Sequence, residues 1–191
     1  MEGELATLAE RASDDSGDSA LTIQLRARQE TELLKVPTFV ELAKDAVAEG
    51  NSVVVFVNFT ATLEAIDLRL SDIPAAVVQG GQSEEDRQEN VDLFQNNEAK
   101  VCLCMIQAGG VGLSLHDERG IRPRVSLVSP SFSAIEFRQT LGRIHRAGGK
   151  SPAIQKIVFA AETVEMRVCR AIRGKLHNLD LINDDELNPI L

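Results

Sequence analysis

Val53-Val54-Val55-Phe56-Val57 is an unbroken apolar run, β-branched at every position but Phe56. Such a run marks a strand buried on both faces, as in a parallel sheet covered by helices. Reading outward from it, helical and extended patterns alternate. Thr60 to Leu70 reads as a helix with Leu63, Ile66, Leu68 and Leu70 available for packing. Ala75 to Val78 is a short strand, and Gly80-Gly81 a turn. Ser83 opens a helix whose first turn carries Glu84, Glu85 and Asp86, where the macrodipole favours negative charge. Strands follow at Lys100 to Ile106, Val125 to Val128 and Ala153 to Phe159, with helices at Ser133 to His145 and Thr163 to Leu176. Upstream, Thr38 to Ala48 is helical and closes at Gly50, a residue suited to the left-handed cap conformation. Leu21 to Leu34 is a further helix, ended by Pro37, because proline disfavours the α conformation in the residue before it. Strands alternating with helices predict an α/β domain, a parallel sheet with helices on both faces and right-handed crossovers.

The 191 residues correspond to about one domain with arms. Residues 1–20 are acidic and rich in Ser, Asp and Gly, the composition of a disordered arm. Residues 21–50 form a helical N-terminal element, 51–178 the α/β lobe, and 179–191 an acidic tail. At 43% hydrophobic and 26% charged residues, the chain fits neither a collagen-like nor a wholly disordered class. No apolar run approaches the roughly 18 residues of a membrane span, and no leader pattern opens the chain. Three cysteines are too few for a disulfide framework, which points to a reducing, intracellular compartment.

The net charge is −9, yet the interval from Arg119 to Lys156 holds Arg119, Arg122, Arg124, Arg138, Arg143, Arg146, Lys150 and Lys156 against a single acid, Glu136. A local basic zone can hold phosphates on an acidic protein, because screening confines charge effects to about 8 Å. The alternative is a solvated surface with scattered arginines.

Two constellations stand out. Gln107-Ala108-Gly109-Gly110-Val111-Gly112-Leu113 directly follows a predicted strand. In an open parallel sheet ligands sit beyond the carboxyl ends of strands, and closely spaced glycines let backbone amides approach a phosphate or ribose. A glycine-rich turn with no ligand is the plainer alternative. Gln139-Thr140-Leu141-Gly142-Arg143-Ile144-His145-Arg146 places Arg143 and Arg146 three apart, on one face of a predicted helix. Paired guanidiniums there suit a polyphosphate counter-ion. Gly149-Lys150-Ser151 imitates the end of a phosphate-binding P-loop, but Ile144 stands where that motif requires glycine, and a helix precedes it. Cys102 and Cys104 read as buried small apolar residues, and His116 and His177 lack metal-ligand spacing. With Trp and Tyr absent, aromatic base-stacking platforms are limited.

Together these stretches resemble the second RecA-like lobe of superfamily 2 helicases and translocases, especially the Swi/Snf-like and viral DNA-helicase branch. The likeness covers Ser52 to about Lys175. Val53 to Thr60 resembles motif IV. Gly80 with Glu85-Asp86-Arg87 and Phe94 resembles the helix entry after it. Ala108 to Leu115 is similar to motif V, Gln139-x-x-Gly142-Arg143-x-x-Arg146 to motif VI, and Thr163-Val164-Glu165 to the Swi/Snf-type closing helix. The chain departs from the pattern at Gln107, where many relatives have Ser or Thr, and at Ser114, where Swi/Snf relatives have Asn.

The resemblance implies an ATP-dependent nucleic-acid motor. Arg143 and Arg146 would be arginine fingers, with Gln139 sensing the γ-phosphate and Gly110, Gly112 and Gly142 near the nucleotide. Asn58, Thr60, Gly80, Arg87, Ala108 and Gly109 would face nucleic acid, DNA more than RNA. ATP with Mg2+ would be held mainly by a first lobe, which supplies the P-loop lysine and the magnesium-binding acids. None of those motifs occurs in this sequence, so that partner lobe would act in cis or in trans, and the isolated chain would be inactive. The setting would be intracellular (cytoplasm, nucleus or viral factory), away from membranes. A non-catalytic module that binds nucleic acid or docks on a motor protein is the alternative.

Overall fold

The computed structural model describes residues 20–107, 113–131 and 133–183. The arm at residues 1–19 and the tail beyond Asn183 lie outside this set. The elements run α1 (Ala20–Leu34), α2 (Val36–Ala48), β1 (Ser52–Val57), α3 (Thr60–Arg69), β2 (Ala75–Val78), α4 (Glu84–Gln95), β3 (Val101–Met105), β4 (Arg124–Val128), α5 (Ala134–Leu141), β5 (Ala153–Ile157) and α6 (Val164–Asn183). The strands form one parallel sheet in the order β2-β3-β1-β4-β5. The valine-rich run lies at its centre, in register with Val101–Met105 on one side and Arg124–Val128 on the other, and all six residues of β1 are buried.

Alternation along the strands splits the core in two. Val54, Phe56, Cys102 and Cys104 face a layer that includes Phe94 of α4, Phe137 of α5 and Val168 of α6. Val53, Val55, Leu103 and Leu127 face the other, with Phe39 and Ala43 of α2 and Leu63 and Ile66 of α3. The fold is therefore the expected RecA-like α/β lobe, and α2 is part of its core. Burying a side chain such as Phe39 or Phe94 contributes about 1.5–3 kcal/mol. Ser83 caps α4, its Oγ accepting from the Asp86 amide at 3.0 Å. Gly50 at φ +88° and Gly81 at φ +84° occupy the left-handed region their turns require.

Four local readings are corrected. Pro37 lies in the first turn of α2, where its missing N–H costs nothing, so the break between α1 and α2 falls at Lys35. Leu68 is 77% exposed, on the outer side of α3. Helix α5 ends at Leu141, short of His145. The final helix continues past Leu176 to Asn183, taking in Asp180 and the first part of the segment read as a tail.

Candidate functional site

The arginine segment forms a turn. The Gly142 amide closes α5 on Arg138 O, and the Arg143 amide then bonds Thr140 O in a tighter i to i−3 step. The Arg143 carbonyl is taken by the Leu115 amide at 3.0 Å, outside the helix. That tertiary bond, next to a glycine of low helix propensity, is the physical reason the helix stops. Arg143 and Arg146 consequently do not share a helical face. Arg143 is only 5% exposed, its guanidinium 5.8 Å from the Phe56 ring centroid. Burial lowers its pKa, the Cys104 thiol opposes that shift and Arg146 adds to it, but an arginine keeps its charge. Arg146 is exposed. Its Nη2 donates to Leu113 O at 3.2 Å and its Nε to Gly142 O at 3.4 Å. Gln139 and Gly142 are exposed beside it.

Ala108, Gly109, Gly110 and Gly112 lie outside the described residues. The segment that continues from them, Leu113–Asp117, alternates in burial, with odd-numbered side chains inside. Its backbone alternates too. Leu113 O, the Leu115 amide and Asp117 O bond Arg146, Arg143 and the Lys150 amide respectively. Ser114 O and His116 O, on the opposite side, each accept from Gln95 Nε2, at 2.7 and 3.1 Å. Gln95 Oε1 accepts from Arg124 Nη2 at 3.0 Å. Arg124 is 1% exposed, stacks 4.4 Å from the Phe94 ring centroid and reaches Asn97 Oδ1 at 3.3 Å. Two members of the basic zone, Arg124 and Arg143, are thus buried, and the phosphate-facing surface is correspondingly smaller than the sequence suggested.

Between α4 and this strip runs a groove of about 460 Å³, lined by Arg87, Gln88, Gln95, Ser114 and Arg119 among others, with Glu84, Asp92 and Glu118 supplying negative charge. Arg87 and the residues that follow the glycine-rich loop therefore meet in one place. Thr60 is exposed in the first turn of α3, and Gly80 is exposed with nothing within 4 Å of a would-be Cβ.

Asn58 is tied into the fold. Its Nδ2 donates to Glu32 Oε1 at 2.8 Å and to Pro130 O at 2.9 Å. Glu32, 1% exposed, also accepts from the Asn58 and Phe59 amides. The amide hydrogens of Asn58 are committed inside the fold, and its part is to fix the β1–α3 loop.

Sequence reasoning missed the partners behind these contacts. Lys35 is buried, donating to Ser129 Oγ at 2.7 Å, Val158 O at 3.0 Å and Glu165 Oε1 at 2.6 Å. Glu165 Oε2 in turn accepts from the Ala160 amide at 2.8 Å. This network ties the α1–α2 junction to the carboxyl ends of β4 and β5 and to α6. Its trace in the sequence is a lone lysine within Leu33-Leu34-Lys35-Val36. The Cys102 and Cys104 Sγ atoms are 3.4 Å apart and fully buried. The contact with Cys104 and then burial hold the Cys102 thiol well above its ordinary pKa, which suits packing and disfavours a thiolate ligand. Among the described residues no group of three His, Cys, Asp or Glu is placed to hold a metal, and no helix is long and apolar enough to cross a membrane.

A parallel sheet with a glycine-rich stretch of sequence after β3 and an arginine turn after α5 is the arrangement expected of a RecA-like helicase lobe. Residues 34–148 match the helicase conserved C-terminal domain, and the chain belongs to that family. A protein of Acanthamoeba polyphaga mimivirus named as an ATP-dependent RNA helicase, L364, is 41% identical over 163 residues, covering 85% of this chain and 30% of the relative. The human helicase-like transcription factor is 29% identical over 179 residues, covering 92% of this chain and 16% of that protein. The crystal structure of the C-terminal part of the Fun30 ATPase domain superposes with a TM-score of 0.61 at 23% identity, over 72% of this chain and 45% of the other. The chain therefore spans less than a third of either relative's length.

Proposed function

We propose that this chain acts as the second lobe of an ATP-dependent nucleic-acid helicase or translocase, completing an ATPase site whose other half lies on a first RecA-like lobe. The observation that carries this reading is the join between the arginine turn and the segment leaving the glycine-rich loop: Arg146 Nη2 on Leu113 O and the Leu115 amide on Arg143 O. These two bonds join the arginine turn to Leu113 and Leu115, the kind of link a lobe coupling nucleotide state to nucleic-acid grip needs.

In this reading Arg146 is the finger. It is exposed, and two carbonyls orient it while leaving guanidinium hydrogens to meet developing charge on a γ-phosphoryl group. Such a contribution reaches about 10³–10⁵ in rate. Arg143, buried under the same turn, adds a fixed positive charge from beneath. Gln139 and Gly142 flank the nucleotide on the exposed side. Gly110 and Gly112 would offer backbone amides to it, and Ala108 and Gly109 would touch the nucleic-acid backbone. ATP brings the phosphoanhydride to be cleaved and Mg2+ its charge neutralisation. The described residues fit one side of that site, a cation without an acid cluster, so the metal falls to the first lobe. Thr60, Gly80 and the Arg87 groove would face the track, while Asn58 supports the β1–α3 loop that precedes Thr60. DNA is the track favoured by the Swi/Snf-like likeness, and the site of action is intracellular.

Measuring hydrolysis by the pure chain, by a first lobe and by both together, with and without duplex DNA or RNA, tests the proposal. Turnover is expected only from the pair and should rise with nucleic acid. Nucleic-acid-stimulated turnover by the pure chain would overturn it. Equal turnover with and without this chain would favour the non-catalytic docking module.

A further inference from the structure

We propose that Gln95, oriented by Arg124, is a positioning residue that sets the arginine turn through the Leu113–Asp117 strip; its consequence for hydrolysis rests on the function proposed above. Gln95 ends α4, and Arg124 opens β4, so both stand at the amino edge of the sheet, opposite the carboxyl end of β3. The stacked, buried Arg124 guanidinium is a donor without acceptor capacity, which fixes Gln95 with Oε1 toward it. Nε2 is thereby aimed at the strip, where it bonds both even-numbered carbonyls. The odd-numbered backbone groups of the same strip bond Arg146, Arg143 and Lys150. A strip of five residues gripped on one side by one amide and on the other by the arginine turn transmits its position across. Glutamine alone suits the post. An aspartate or glutamate cannot donate to carbonyls, and a lysine cannot accept from Arg124.

The test compares Gln95→Glu and Gln95→Asn in the full 191-residue chain. The first keeps the oxygen for Arg124 and faces two carbonyls with a second oxygen. The second keeps the amide but is one methylene too short. Hydrogen exchange at the Leu115 and Lys150 amides should accelerate by about tenfold or more in both, with the Val55 amide of β1 changed by less than about twofold. Unchanged protection at Leu115 overturns the proposal, whether or not the chain takes part in hydrolysis. In an assembly with a first lobe, kcat should fall about tenfold while KM for ATP stays within about twofold. A raised KM at constant kcat would contradict positioning. Wild-type kcat in both Gln95 variants would also overturn it, provided Arg146→Ala abolishes turnover in the same assay. Were Arg146→Ala itself silent, the arginine reading would be what failed, and the exchange result would stand by itself.

Discussion

At Gly142 a Cβ would lie 3.5 Å from the Gln139 carbonyl oxygen and 3.6 Å from that of Arg138, ordinary contact distances, and φ is −68°. Among the described residues nothing demands glycine there. Replacing it with alanine should leave the fold intact and stabilise it by about 0.4–1 kcal/mol through the unfolded state, read by thermal melting. If a triphosphate approaches that backbone closely, the same variant should lower turnover of the two-lobe assembly by about tenfold or more, since sub-ångström displacement of reacting groups is costly. Unchanged turnover would remove Gly142 from the nucleotide site. Lys35 makes the opposite case. Its partners are Glu165, Ser129 and the Val158 carbonyl, and both ends of the ion pair are 5% exposed. Lys35→Met removes the buried ion pair from Glu165, to which the Ala160 amide still donates and which Arg28 still attracts, and should destabilise the chain by about 3 kcal/mol. Burial lowers the Lys35 pKa below 10.5, although Glu165 opposes the shift. Between that lowered value and 10.5 the unfolded chain holds a proton that the fold has released, so this group's share of stability rises with pH through the window and levels off above it. Denaturant midpoints across alkaline pH, flatter in Lys35→Met than in wild type, check the sign.

Element by element, the sequence was most legible where burial was uniform. Val53–Val57 has apolar residues on both faces, so the unbroken β-branched run placed β1, and Ala75–Val78 was placed to the residue. Ser83 with three acids after it marked the start of α4 because capping is local. Helix α5 was overextended because its end depends on Leu115, 28 positions away in sequence from the Arg143 carbonyl it engages, and no local pattern encodes that bond. The expectation that Arg143 and Arg146 share one helical face thus failed, because the helix stops at Leu141. Asn58 was drawn into the structure by Glu32, a tertiary contact equally silent in the sequence. The strip ends on Asp117, where burial would raise the carboxyl pKa. The nearby Ser151 hydroxyl, the Arg119 and Gly120 amides that donate to its Oδ1, and Arg124 outweigh burial and lower it below 3.8. A depressed carboxyl contributes stability that is complete above its unfolded value and lost as pH falls through the folded one. Acid titration should therefore loosen the Lys150 amide below about pH 3.8, and Asp117→Asn should remove that dependence. Identical exchange profiles for the two proteins would show that Asp117 does not anchor the strip.

For the whole molecule, alternation of strands and helices was enough to forecast a parallel sheet with helices on both faces, because each strand's period and each helix's amphipathicity agree with one architecture. The surface charge was less legible. Sequence counted Arg124 and Arg143 toward a phosphate-facing zone, but both are interior, which leaves Arg119, Arg146, Lys150 and Lys156 exposed. Among the described residues the arginine turn carries one outward guanidinium, Arg146, and in the proposed function the rest of the ATPase site would come from a first RecA-like lobe. Single-turnover cleavage of ATP by the two-lobe assembly, wild type against Arg146→Ala, tests this most directly. The account predicts a rate lower by about 10³ or more in the variant, with ATP and nucleic-acid affinities changed by less than about fivefold. Cleavage at the wild-type rate in the variant would contradict it.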